Sequence, residues 1–188
     1  ISILQLIENN RLDSSVHIVE MNPPDMAAAL AAGSLDAYYV GEPFAAQTLK
    51  SGDATRVLYA KDVWEGFFSN LAVVRQDWIE KEPEVVARLV HGAARAGLWA
   101  QHNPEKAAGI AAHYWNQPRE LVEYALTTPR DRIVYDRFVP VREEIQYLAD
   151  EMLKFGLLQD STISGLVEDR YAKDADLSGV SSLASVLR

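Results

Sequence analysis

Ala28-Ala-Leu-Ala-Ala-Gly-Ser-Leu-Asp-Ala-Tyr-Tyr-Val-Gly-Glu-Pro-Phe44 is the stretch on which the reading of this chain turns. It reads as the end of a helix, a turn, a buried strand and a polar corner from which a second helix leaves. The first helix opens near Pro23–Asp25: Pro24 is pre-set for a first-turn position, and Asp25 sits favourably against the positive end of the helix dipole. Gly33 stands where a left-handed residue ends such a helix. Leu35–Val40 is short, mostly apolar and rich in β-formers, which predicts a strand. Gly41-Glu-Pro-Phe44 closes it. In an open α/β sheet, ligands lie outside the carboxyl ends of the strands, so Glu42 becomes the centre of the candidate site.

Outward from that corner, the pattern predicts alternating elements. Residues 1–12 read as an amphipathic helix and Val16–Met21 as a strand. A short helix runs from Pro43 to about Lys50, Ser51–Asp53 turns, and Thr55–Ala60 is a third strand. An α-β-α-β-α-β order implies a parallel sheet with right-handed crossovers. Residues 61–69 are irregular and aromatic, and Asn70–Arg75 is one more strand. From Asp77 onward the chain reads helical. Three helix starts share one device, a proline in the first turn: Glu82-Pro83-Glu84, Asn103-Pro104-Glu105 and Gln117-Pro118-Arg119. Val86, Leu89 or Val90, Ala93 and Gly97 fall on one helix face. A loop over 127–131 leads to Val134–Phe138, and a last helix runs from about Arg142 to Phe155, stopped by Gly156. The Ser/Gly-rich tail beyond Thr162 is assigned no structure.

Composition narrows the function classes. The 188 residues are 48% hydrophobic and 24% charged, with a formal net charge of −9. No Lys/Arg block offers a phosphate footprint, which argues against nucleic acid. Zero cysteine removes disulfides, thiolate metal sites and cysteine nucleophiles. No apolar run approaches the ~20 residues needed to span a bilayer. The chain opens inside a helix rather than on Met, so the absence of a signal peptide cannot place it. The helical half carries apolar stripes with no sheet of its own to cover. This predicts a preceding lobe that is absent here, and self-association of the truncated chain.

The run from Pro23 to Phe44 resembles a pattern in solute-binding proteins of ABC importers. The group is the nitrate/sulfonate/taurine/bicarbonate family, related in fold to the thiamine-pyrimidine precursor binders. Similar motifs follow in order: Lys61-Asp-Val-Trp64, Asn70–Arg75, Asp77-Trp78, Glu82–Leu89 and Leu148–Leu157. The resemblance runs from Ile1 to about Tyr171. It implies an α/β fold, the parallel-sheet lobe of a type II periplasmic binding protein followed by a helical C-terminal region. Residues 1–70 would be the second lobe, incomplete at its N-terminus. Residues 71–188 would be a hinge-crossing strand and helices that pack on the missing first lobe. The implied role is capture of a small polar solute by two-lobe closure, outside the cytoplasm, with a membrane permease as partner. A lipid anchor is compatible with it. The alternative is a precursor-binding, synthase-like or sensor protein on the same fold; a synthase would need cleft His and Cys residues, and the chain has no Cys.

Glu42 supports two readings. Its carboxylate meets a ligand hydroxyl, amine or cation, or it caps the helix beginning at Pro43 by accepting a backbone N–H. A bare anion 4 Å from an ionised Glu42 would be repelled by about 4 kcal/mol at an effective dielectric near 20. A cationic, zwitterionic or metal-assisted ligand suits it better. Gly41 lets backbone approach a ligand, or serves only the turn. Phe44 lines the site or packs in the core, as does Tyr39. Asn22 and Asp25 follow a strand end and face the cleft edge, with Asp25 read first as a dipole residue. Trp64 and Asn70 flank the hinge crossing. His17, His91, His102 and His113 share no metal spacing, and Glu143-Glu144 and Asp150-Glu151 read as helix-surface charges. No nucleophile elbow, H-E-x-x-H or phosphate loop is present, so neither an enzyme, a metal nor a cofactor is expected.

Overall fold

The computed structural model describes residues 1–12, 15–64, 66–130 and 133–187. Glu65 of the expected aromatic stretch and Asp131 of the expected loop lie outside them. Most helices occur where local signals place them, but short ones at 60–63, 170–173 and 183–186 lie outside every expected helix. α1 (Ser2–Asn10), α2 (Pro23–Ala31), α3 (Phe44–Ser51), α4 (Ala60–Val63), α5 (Gln76–Lys81) and α6 (Pro83–His102) come first. α7 (Pro104–Trp115), α8 (Arg119–Thr127), α9 (Arg142–Lys154), α10 (Arg170–Lys173) and α11 (Leu183–Val186) follow. Stops obey stereochemistry. Gly33 holds φ +73 after α2, and the Ser34 N–H reaches back to the Ala29 carbonyl at 2.9 Å. Gly156 holds φ +72 after α9, with the Leu157 N–H on the Met152 carbonyl at 2.8 Å.

The parallel-sheet lobe is not found. Among the described residues there is no strand, and the α/β expectation is corrected to an all-helical arrangement with extended connections. Val16–Met21, Leu35–Val40 and Asn70–Arg75 carry no regular structure, and Thr55–Ala60 runs straight into α4. The physical reason lies in what a strand is. Side-chain preference extends a backbone, but a ladder needs a neighbour to take its N–H and C=O groups. Adjacent Ile18 and Val19 are 48% and 55% exposed, so the first segment buries neither face; Val57 and Val73 are 88% and 87% exposed. Alternation had specified a face without specifying a partner.

The chain divides into two compact units, Ile1–Glu65 with Glu105–Arg132, and Gly66–Pro104 with Ile133–Arg188. In the first unit α1 packs on α4, α2 on α3, and α3 on α8. Its core joins Ala108 and Ala112 of α7 to Val122 of α8, with Ala111 and Leu126 at its edge. The chain returns to this unit at Glu105.

In the second unit α6 is the central element, with α5, α10 and α11 packed on it. Its buried residues are Val86, Ala94, Arg95 and Trp99. The stripe is therefore rotated from the expected one: Leu89 is 49% exposed and Ala93 faces solvent. A separate cluster gathers Ile145 and Ala149 of α9 with Ile163, flanked by Phe68, Leu158 and Val167. Gly97 lets residues 135–138 approach α6. A Cβ there would lie 2.9 Å from Phe138 Cε1 and 3.2 Å from Tyr135 Cβ. The Tyr135 backbone N–H donates to Gln101 Oε1 at 2.7 Å, fixing the same approach. Among the described residues no helix is long and apolar enough to cross a membrane.

Two expectations follow for α6. A Cβ at Gly92 would meet nothing within 4 Å, so Gly92→Ala removes only backbone freedom and should stabilise by about 0.5–1 kcal/mol. Gly97→Val should destabilise by about 1–3 kcal/mol through overpacking. Urea midpoints at unchanged slope check both. A third concerns Tyr135, whose phenol is raised by burial above its ordinary 10.0. Folding then favours the protonated form. The stabilisation is complete below the unfolded-state value and is lost as pH rises through the higher folded-state value. Tyr135→Phe keeps the aromatic ring and should lose this part of the alkaline fall in stability. Equal slopes for both proteins between roughly pH 9 and 11 would refute the assignment.

Candidate functional site

The corner at residues 41–44 is built by three local devices. Gly41 and Glu42 end the extended segment, and α3 begins at Phe44 with Pro43 before it. The Ala46 backbone N–H donates to Glu42 Oε2 at 2.9 Å, which satisfies one of the helix's unpaired donors. The Tyr38 hydroxyl donates to the Phe44 carbonyl at 3.3 Å and forms a short hydrogen bond with Thr48 Oγ1. Tyr38 thus pins the extended segment along the first two turns of α3. Ala46 and Thr48 are buried beneath it, on a helix held between α2 and α8.

Electrostatically, the start of α3 already holds an anion. Its aligned peptide dipoles favour negative charge, and the half-buried Glu42 supplies it. The capping role proposed for Glu42 is seen directly; a ligand contact is a separate matter. Phe44, the first residue of the helix, is partly buried. A Cβ at Gly41 would meet nothing within 4 Å, so close approach to the protein's own atoms does not require glycine there.

The other candidates are placed differently. Asn22 precedes α2 with an exposed side chain, and no cap bond from it is formed. It lines an open depression of about 520 Å³ with Glu20, Met21 and Asp25. Trp64 is 6% exposed just after α4, which makes it a core residue of the first unit. Asn70 belongs to the second unit, where its exposed amide donates to Ser69 Oγ at 3.2 Å. Thus Gly41, Glu42 and Phe44 share one corner, while Asn22 lines its own depression and Trp64 is internal.

Sequence reasoning singled out Tyr39 and passed over Tyr38, the tyrosine whose hydroxyl reaches α3. No local signal separates adjacent tyrosines; the turn at Gly41 decides which one faces the helix. Among the described residues no three His, Cys, Asp or Glu side chains gather as a metal site. Glu144 is engaged by Arg137 at 2.6 Å, and Asp150 accepts from Gln146 at 2.9 Å, so each has a local structural partner.

Residues 4–114, more than half of the chain, match the sequence model of the NMT1-like family. The chain belongs to that family. The match spans the Glu42 corner and all of α2 to α6. The putative aliphatic sulfonates-binding protein of Bacillus subtilis is 26% identical over 132 residues, 69% of this chain and 39% of that protein. A nitrate/nitrite binding protein of Nostoc sp. is 27% identical over 94 residues, 50% of this chain and 21% of its own length. A bicarbonate transport ATP-binding protein of Synechococcus elongatus is 23% identical over 155 residues, 77% of this chain and 23% of its own length. The chain therefore spans about two-fifths or less of these relatives. No solved structure matches it significantly. The resemblance drawn from the ordered motifs is borne out at the level of the family: sulfonate, nitrate/nitrite and bicarbonate are the solutes in the relatives' names.

In this NMT1-like chain Glu42→Ala should lower stability by about 0.5–2 kcal/mol, the usual cost of a lost N-terminal cap. Glu42→Gln retains an oxygen for the Ala46 N–H and should lose less than half as much. Denaturant midpoints for the two variants check the order, and equal losses would contradict the cap.

Proposed function

We propose that this protein is the solute-binding component of an ABC importer, taking a small polar solute of the nitrate, sulfonate, taurine or bicarbonate class. Capture occurs outside the cytoplasm by closure of two lobes, and delivery is to the membrane permease of the same system. The observation that supports this most is the character of the relatives. One stretch of sequence recurs in proteins named for binding sulfonates or nitrate/nitrite and in ATP-binding proteins named for nitrate import or bicarbonate transport. Solute recognition is what a binding protein contributes to such a system, and it requires no bond-making residue. Binding without chemistry is the role assigned here.

The Glu42 corner is the part of this chain offered to the solute, with Gly41 and Phe44 beside it in sequence and Asn22 lining a depression of its own. Trp64 is buried within the same unit. A carboxylate at the start of α3 repels a bare anion and attracts an ammonium. The corner therefore favours an amino-sulfonate, whose ammonium faces Glu42, over a simple anion.

Thermal shift of the full-length protein against nitrate, bicarbonate, alkanesulfonates, taurine and pyrimidines tests the class. A true solute at a hundredfold its Kd stabilises by about 2.7 kcal/mol, a rise in melting temperature of several degrees. A rise with pyrimidines alone would overturn the assignment. Glu42→Gln should weaken taurine by at least about tenfold, equivalent to 1.4 kcal/mol, and spare ethanesulfonate. Calorimetry showing unchanged taurine affinity would leave Glu42 as a helix cap only.

A further inference from the structure

Arg95 lies in the middle of α6 and is only 4% exposed. A buried guanidinium ordinarily finds a carboxylate. Here it meets backbone carbonyls. Nη1 donates to the Asp176 carbonyl at 2.7 Å and to the Ser178 carbonyl at 2.9 Å, and Nη2 donates to the Ser185 carbonyl at 2.6 Å. All three acceptors belong to the last stretch of chain, more than 80 positions away in sequence. Its Nε–H is buried without a partner among the described residues.

That last stretch is otherwise organised by itself. Asp176 Oδ1 accepts the Ser178 N–H at 2.8 Å. Ser185 Oγ accepts the N–H groups of Ser181 and Ser182, both at 3.0 Å, and donates to the Ser182 carbonyl at 2.6 Å. Apolar anchoring is limited: Val186 is buried and Leu177 and Val180 are half-buried, whereas Leu183 and Leu187 are 53% and 90% exposed. Among the described residues, the hydrogen bonds that carry this segment to α6 all end on one side chain.

We infer that residues 176–187 form a detachable strap, fastened to α6 by the Arg95 guanidinium, which opens without unfolding of the helices beneath it. The strap's own turns rest on a few short-range bonds around Ser185, which fray once the strap lifts and leave its amides open to exchange. Little apolar surface is exposed by lifting, so the cost of opening is mainly the three charge-assisted bonds. The orphaned Nε–H lowers that cost, because water satisfies it once the strap is away. Opening converts a covered stretch of α6 into an exposed one bearing a free cation. This gives the protein a second conformational state independent of its solute site.

Hydrogen exchange on the full chain across low urea concentrations tests the strap. Amides of residues 181–186 should exchange through an opening that urea barely affects, while amides of α6 and α9 follow the steep dependence of larger unfolding. Arg95→Met keeps most of the side chain's packing and removes every donor. It should lower strap protection at least tenfold and leave α9 unchanged. Arg95→Lys keeps the charge without the fork and should fall between the two. If strap amides in the wild-type protein share the urea dependence of α6, the strap is not separate and the inference fails. Strap protection in Arg95→Met within twofold of wild type would also overturn it. Should Arg95→Met not fold, the wild-type urea dependence decides alone.

Discussion

Helices in this protein approach one another through small side chains, and that constraint governs the rest. Val86 and Val122 are completely enclosed, Trp64 and Trp99 are nearly so, and alanines make up much of the remaining core. Ala108 and Ala112 bring α7 against α8 in the first unit, and Gly97 admits Tyr135 and Phe138 against α6 in the second. Close packing of this kind buries little area per contact. Other apolar side chains, among them Val57, Val73 and Leu166, are left largely exposed. Polar fastenings then carry a larger share of the cohesion than in a thick core. The Glu42 cap, the Tyr38 hydroxyl and the Arg95 clasp are three instances of one solution.

Local chemistry is what could be read in advance. Proline in the first turn announced α2, α6 and α7, and Gly33 and Gly156 ended their helices as positive-φ residues should. These features depend on a few neighbouring residues. Strand formation does not, because the donors and acceptors of an extended segment need a second segment remote in sequence. Thr55-Arg-Val-Leu-Tyr-Ala60 has the side chains of a strand, yet its end folds into α4. The rotation of the α6 stripe has a related cause. Ala93 and Ala94 are equivalent to any periodicity count, and only the segments that pack on α6 choose between them.

The candidate site was legible to the same extent. Glu42 before Pro43 and a helix start states a cap in local terms, and the Ala46 N–H meets it. By resemblance Trp64 flanks the expected hinge crossing, and the structure buries it within the first unit. Arg95 drew no notice in the sequence. A single arginine in an alanine-rich helix looks like a solvated charge until the carbonyls that surround it are known, and those come from the far end of the chain.

The carboxylate at the head of α3 has a consequence for selectivity. Being covalently attached, Glu42 acts as a tethered competitor for that helix end, present at an effective concentration that no dilute solute matches. An incoming nitrate or sulfonate would have to displace it and then tolerate its charge nearby. Affinity for simple anions at this spot is therefore depressed by the protein itself. A solute that leaves the cap in place and offers it a positive group evades that competition.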